Sequence, residues 1–444
     1  MSAALRGRTN RVVIVGGGLA GLSAAERLRA RGFAGQIVIV GDEPHPPYNR
    51  TPLSKQLLTG QLPPADLRLR AHTDPAASWR LGVPAAGLDP RGRQVILADG
   101  TTLDFDGLVI ATGVAARRLP DQPAAGPVHT LRTLADAHAL DETLAAARQV
   151  AVVGGGFLGC ELAATARHRA LSVCLIEPAD VLMARPLGAH IGGLAAAAHR
   201  RAGVRLHLGS QVTRWTPTTR GFRLALTGGA RVDADAVLVA VGTAPAVDWL
   251  AHCGLALGDG VQCDATTHVL AADGQPVEGI VAAGDVACWP NLRFDTVRRR
   301  VEHWINAVEM GQAAADALLA GPRHAVPFTP VPRFWSHQHD LRIQAAGLPA
   351  LATDVTLLAG CFDAGRFLAG YTRPADDATP VLVGVVAFDA PRALARWTPH
   401  IGRPLPRRTG PRRHRASRAA VSATLPRPRG GSEPSPASRP ARPR

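Results

Sequence analysis

"RVVIVGGGLAGLSAAERLRARG", residues 11–32, decides the fold. A β-branched run, Val12–Val15, stops at Gly16-x-Gly18-x-x-Gly21 and passes into a stretch with helical spacing. A second strand, "IVIVGDE" (37–43), follows and places Asp42 21 residues after Gly21. Strand, glycine turn, helix and a strand with an acid at its end form the βαβ dinucleotide fingerprint. Its glycines permit a tight turn and close backbone approach, and its helix N-terminus faces a pyrophosphate. The pattern recurs in "QVAVVGGGFLGCELAATARHRALSVCLIEP" (149–178), with Gly154-x-Gly156-x-x-Gly159 and Glu177 closing the next strand 18 residues later. Two complete fingerprints, 138 residues apart, predict two bound nucleotides.

Two further pieces surround them. "QVILADGTTLDFDGLVIATG" (94–113) reads as a hairpin and a buried strand ending at Ala111-Thr112-Gly113. "EGIVAAGDVACWPN" (278–291) reads as a buried strand leading to Gly284-Asp285, where a carboxylate can reach a ribityl or ribose hydroxyl while the backbone stays close.

The chain has 444 residues, enough for two or three domains, and 46% of them are hydrophobic, as in a soluble α/β protein. The first apolar run is too short for a secretory segment, and none approaches the roughly 20 residues that span a bilayer. Six cysteines show no CxxC and no metal-ligand spacing, so buried thiols, a reducing cytoplasm, no membrane and no metal are expected. The net charge of +15 is unevenly placed: residues 407–444 carry 11 Arg and a single acid, Glu433, which leaves only +5 for the rest. That Arg- and Pro-rich tail reads as disordered, with no nucleic-acid role expected. Of 50 Lys and Arg, Lys55 is the only lysine. A compact ammonium on a flexible stem does what a planar guanidinium cannot.

In order, "GGGLAG", "GDEPHPPYNRTPLSK", "ATG", "LRTLADA", "GGGFLGCELA", "AAGDV", "VEHWINAVEMGQ" and "FWSHQHDLRIQ" make the chain resemble the two-dinucleotide flavoproteins. Within them it is most similar to the NADH-dependent ferredoxin reductases of bacterial oxygenase systems, over roughly residues 11–400. The resemblance implies FAD on the first fingerprint and NAD on the second. For FAD it implies Gly16, Gly18, Ala20 and Gly21 at the pyrophosphate turn, Asp42 or Glu43 at the adenosine ribose, and Arg50 and Lys55 along the flavin. It also implies Ala86 beside the adenine, Thr112 and Gly113 in the "ATG" turn, Arg132 near the pyrophosphate, Gly284 and Asp285 at the ribityl chain, and Trp304 at the isoalloxazine edge. For NAD it implies Gly154, Gly156, Gly159, Glu177 and Gly242. Lys55 is implied to sit near the flavin N5, paired with Glu161. The chain departs from the pattern at Thr51, where proline is usual, and at His337, where aspartate is common. Trp335 either lines the flavin or an electron exit, or merely packs.

The first cysteine, Cys160, lies inside the second fingerprint, so the thiol mechanisms of disulfide reductases and peroxidases of this fold are not expected. The expected reaction is hydride transfer from NADH to FAD and single-electron delivery to a [2Fe–2S] ferredoxin that feeds an oxygenase or cytochrome P450. A rubredoxin or nitrite-type reductase module differs only in acceptor. A redox-sensing binding protein resembling the apoptosis-inducing flavoproteins differs in turnover. The expected architecture is α/β, with an FAD domain (1–119 and 246–321) interrupted by an NAD domain (120–245), then a C-terminal α/β domain (322–403) and the tail (404–444).

Overall fold

A computed structural model describes residues 11–69, 75–375 and 378–405. The tail expected to be disordered lies, from residue 406 onward, outside the described residues.

Val12, Val13, Ile14 and Val15 are buried on both faces of their strand, as in a parallel sheet covered on two sides. Strand Arg11–Val15 pairs in parallel with Gln36–Gly41 on one side and with Gly107–Ile110 on the other. The sheet extends to Ser78–Leu81 beyond the first and to Pro276–Ala282 and His268–Leu270 beyond the second. A late piece of the chain therefore completes a sheet begun at residue 11. The expected hairpin forms between Gln94–Leu97 and Thr102–Asp104.

A second parallel sheet holds Arg205–Leu208, Ser172–Glu177, Gln149–Val153, Ala236–Val239 and Val128–His129 in that order. A third sheet is antiparallel and orders Arg333–Gln338, Leu341–Gly347, Pro380–Phe388, Arg366–Pro374 and Asp354–Cys361, with helix Pro391–Trp397 after it. Helix Leu19–Ala30 packs on helix Trp304–Ala320 at close range, because a Cβ on Gly311 would stand 2.4 Å from the Ala20 carbonyl oxygen. Arg27 clamps the pair by donating to both oxygens of Asp316, at 2.9 and 2.7 Å. Trp304 opens the second helix of that pair. Among the described residues no helix is long and apolar enough to cross a membrane, and no His, Cys, Asp and Glu cluster could hold a metal ion.

Candidate functional site

A cavity of about 690 Å³ opens at the carboxyl ends of the first sheet, within the roughly 300–1,000 Å³ of small-molecule and cofactor sites. Gly16 makes its floor. It adopts φ +124°, its N–H donates to the Val40 carbonyl at 2.8 Å, and a Cβ there would lie 2.1 Å from the Ala111 carbonyl oxygen. Helix Leu19–Ala30 starts after Gly18 with no side-chain cap and no acid in its first turn. Its first amides are thus open to an anion, and the helix dipole favours one there. Asp42 and Glu43 both line the wall, but they differ. Glu43 is consumed: Tyr48 donates to it at 2.6 Å and Arg50 pairs with it. Asp42 is exposed and, among the described residues, accepts only from the neighbouring Glu43 N–H.

From Glu43 a polar seam runs across the cavity. Arg50 donates to the Tyr48 hydroxyl and to the Arg132 carbonyl, each at 2.9 Å, and the Leu134 N–H donates to the same hydroxyl. The Arg132 guanidinium meets Asp285 at 3.1 Å. Burial pushes the Asp285 carboxyl above its usual range, with Arg132 opposing. Burial also pushes His303 down to about 4, so the ring is neutral near pH 7, and among the described residues its Nδ1 has no partner. Trp249 Nε1 is likewise buried and, among the described residues, unpartnered, and both residues line the cavity. Buried polar atoms left open are expected where a ligand completes them. With the open helix amides, they fit an elongated, doubly charged dinucleotide.

At the far end, Lys55 Nζ lies 2.7 Å from Glu161 Oε2 and 3.2 Å from the Thr51 carbonyl oxygen, with Lys55 15% and Glu161 8% exposed. Ser54 donates to the same Glu161 oxygen at 2.7 Å, and Ser336 to the other at 2.6 Å. A buried carboxylate with three donors, one of them an ammonium, is held in one orientation.

Glu161 comes from the second nucleotide fold. Gly154 repeats the geometry of Gly16, with φ +108° and a notional Cβ 2.3 Å from the Ala240 carbonyl oxygen. Helix Phe157–His168 follows Gly156, again with no side-chain cap and no acid in its first turn. Glu177 at the end of its strand accepts from the N–H groups of Gly155 (2.6 Å) and Ala179 (2.8 Å). Phe157, Leu158 and Glu161 on that helix also line the first cavity. One helix thus presents its N-terminus to the second fold and its side to the first.

Gly16, Gly18, Ala20, Asp42, Glu43, Arg50, Lys55, Thr112, Gly113, Arg132, Glu161, Gly284, Asp285 and Trp304 all line this cavity. Gly21 is the third residue of the first helix. Ala86 is not on the cavity wall, where its neighbours Pro84 and Ala85 stand. Gly154, Gly156, Gly159, Glu177 and Gly242 belong to the second fold; Gly242 takes φ +101° just before strand Thr243–Pro245. Trp335 reaches the cavity and contacts Trp304 edge-on, ring centres 6.3 Å apart. Sequence reasoning missed Tyr48, the hub of the polar seam, and Ser54 and Ser336, which lie inside quoted motifs. Burial together with the positive charges of Lys55 and Arg342 pushes His337 down. No cysteine lines the cavity among the described residues, and burial pushes the Cys160 thiol far up, which makes it inert.

Residues 10–311 match the pyridine nucleotide-disulphide oxidoreductase family. The ferredoxin–NAD(+) reductase component of the biphenyl dioxygenase system of Paraburkholderia xenovorans (strain LB400) is 38% identical over 76% of this chain and 80% of that protein. The ferredoxin reductase for the CYP199A2 system from Rhodopseudomonas palustris has a similar structure, with a TM-score of 0.80 at 31% identity over 87% of this chain and 93% of that one. Putidaredoxin reductase in its covalent complex with putidaredoxin gives 0.79 at 29% identity over 88% and 93%. The chain belongs to the pyridine nucleotide-disulphide oxidoreductase family and groups there with ferredoxin–NAD(+) reductases.

Proposed function

We propose that this chain is a cytoplasmic FAD-dependent oxidoreductase that takes hydride from NADH and passes electrons one at a time to a [2Fe–2S] ferredoxin serving an oxygenase or a cytochrome P450. The observation that carries this is the Lys55–Glu161 pair on a cavity wall shared by two nucleotide folds and free of cysteine. Bound FAD supplies the hydride acceptance and one-electron release that no side chain offers.

The chain's own residues do the rest. The turn Gly16–Gly21, with Ala20, holds the FAD pyrophosphate, aided by Arg132. Asp42 accepts from the adenosine ribose, because Glu43 is already spent on Tyr48 and Arg50. Pro84 and Ala85, which stand on the wall where Ala86 does not, flank the adenine. Thr112, Gly113, Gly284 and Asp285 line the ribityl chain, and Arg50 and Trp304 border the flavin. The turn Gly154–Gly159, with Glu177 and Gly242, holds NADH. Phe157 and Leu158 keep water from the junction of the two cofactors. The Lys55 ammonium, positioned by Glu161, places positive charge where the ring system gains electrons, and such preorganised charge is worth most in a site shielded from water. The corresponding domain division is 1–119 with 246–321 for FAD, 120–245 for NAD, and 322–403 as the C-terminal domain.

Steady-state turnover with NADH tests the assignment. The kcat/KM for a [2Fe–2S] ferredoxin should exceed that for rubredoxin. Slow flavin reduction with a long-lived NAD–flavin complex would make the protein a sensor instead, and a preference for rubredoxin would change the acceptor.

A further inference from the structure

Behind Glu161 lies a buried polar chain that the proposed reaction does not use. Ser336 Oγ donates to Glu161 Oε1 and accepts from Gln338 Nε2 at 3.0 Å. Gln338 Oε1 stands 3.0 Å from His199 Nε2, and His199 Nδ1 stands 3.2 Å from His339 Nε2. Ser336, Gln338 and His199 are buried; His339 is half-buried. The members come from helix Ala184–Arg201 and from strand Arg333–Gln338 with the turn after it.

Chemistry fixes every direction in this chain. The second hydrogen of Gln338 Nε2 points at Met183 Sδ, 3.4 Å away. A thioether has no proton to give, so a flipped amide would set oxygen against sulfur. The carbonyl end of Gln338 therefore faces His199, which must donate from Nε2. Burial pushes both histidines down, His339 to about 4, so near pH 7 each carries a single N–H. His199 Nδ1 is then an acceptor and His339 Nε2 the donor. All four bonds point the same way, from His339 to the Glu161 carboxylate.

From this polarity we infer that His199 is a positioning residue for NADH oxidation: acting through Gln338 and Ser336, it fixes the Glu161 carboxylate that holds Lys55. The inference rests on the reading of Lys55 and Glu161 given above. The chain is not a proton wire, because a neutral amide does not pass protons on. It is an array of aligned dipoles ending on a charge, and aligned bonds of this kind strengthen one another in a low-dielectric interior. With His199 in place, Gln338 cannot rotate and the Ser336 proton has a single acceptor to serve. Without it, the amide is free to turn, Ser336 can donate to Gln338, and Glu161 loses one of three donors.

Anaerobic stopped-flow reduction of the FAD-loaded full chain by NADH tests this. His199→Leu should slow the limiting rate about threefold to tenfold, with FAD content and the Kd for NADH unchanged. His199→Gln, whose amide nitrogen reaches the place of Nε2 and keeps a donor toward Gln338, should recover at least half of the loss. Ser336→Ala should slow reduction by a similar factor, and the double variant His199→Leu/Ser336→Ala no further, since one link is already cut. Because His199→Leu leaves a buried amide oxygen unpaired, the double variant His199→Leu/Gln338→Met is made alongside; with no amide left to draw its proton, Ser336 can serve only Glu161, so this variant should recover most of the rate that His199→Leu loses. A wild-type rate in the folded His199→Leu protein, or no recovery in His199→Leu/Gln338→Met, overturns the inference. So do losses that multiply in His199→Leu/Ser336→Ala, or a His199→Gln variant as slow as the Leu variant. If NADH fails to bleach the wild-type flavin at all, the reading of the site fails first, which is a separate result.

Discussion

Lys55→Met isolates what the single lysine does. Its ammonium sits 2.7 Å from a carboxylate that is only 8% exposed, so its removal strands a buried charge. Breaking a buried pair by deleting one partner costs roughly 3–5 kcal/mol. Ser54 and Ser336 still donate to Glu161, which places the expected loss of stability at the lower end, about 3 kcal/mol. The rate is affected separately. The variant replaces an ammonium on the cavity wall by an uncompensated anion, which opposes arrival of a hydride. Reduction by NADH should slow at least tenfold, equivalent to about 1.4 kcal/mol of barrier. Lys55→Arg keeps the charge but spreads it over a wide fork that must fit beside Ser54 and the Thr51 carbonyl, so it should fall between wild type and Lys55→Met. The assay is anaerobic stopped flow on FAD-loaded protein, with urea melts for stability. Both variants reducing at the wild-type rate with full FAD content would refute the reasoning.

Glu177 holds the second glycine turn through Gly155 and Ala179, so Glu177→Ala should raise KM for NADH and narrow the NADH-over-NADPH preference by about tenfold, read from kcat/KM for both cofactors. Burial raises the Asp285 carboxyl, so its charged form destabilises the fold increasingly as pH rises past the ordinary carboxylate range. Asp285→Asn should therefore gain stability at neutral pH while losing FAD affinity, measured by melts and FAD titration. His303 and His339 are both held down at about 4, against an ordinary value of 6.5. Below pH 6.5 the unfolded chain binds their protons first, so stability should fall between pH 6.5 and 4, and His339→Phe should flatten that slope in urea melts. Asp295 is lowered to about 2 by Arg299 and Arg373, and Asp295→Asn should remove part of the acid loss between pH 4 and 2.

Both nucleotide folds were legible because their glycines answer local demands. A Cβ on Gly16 or Gly154 would stand 2.1 or 2.3 Å from a facing carbonyl oxygen, so any side chain there collides. The approach of Lys55 to Glu161, 106 positions apart, came from a resemblance and not from spacing. The choice between Asp42 and Glu43 was hidden because it depends on Tyr48 and Arg50 folding back over Glu43. The chain behind Glu161 was harder still. Ser336 and Gln338 share a face of an edge strand whose one partner follows it in sequence, and His199 sits in an alanine-rich helix that gives no sign of polar company. Such links depend on long-range packing, which local pattern does not encode.

The most direct test of the account is an anaerobic titration of the purified protein, first with NADH and then with an oxidised [2Fe–2S] ferredoxin, followed by absorbance. The account predicts a yellow protein whose bound FAD is bleached by stoichiometric NADH, and whose colour returns as the ferredoxin is reduced, each flavin serving a pair of ferredoxin molecules in turn. A folded protein that takes up no FAD, or whose flavin stays oxidised in excess NADH, would contradict it.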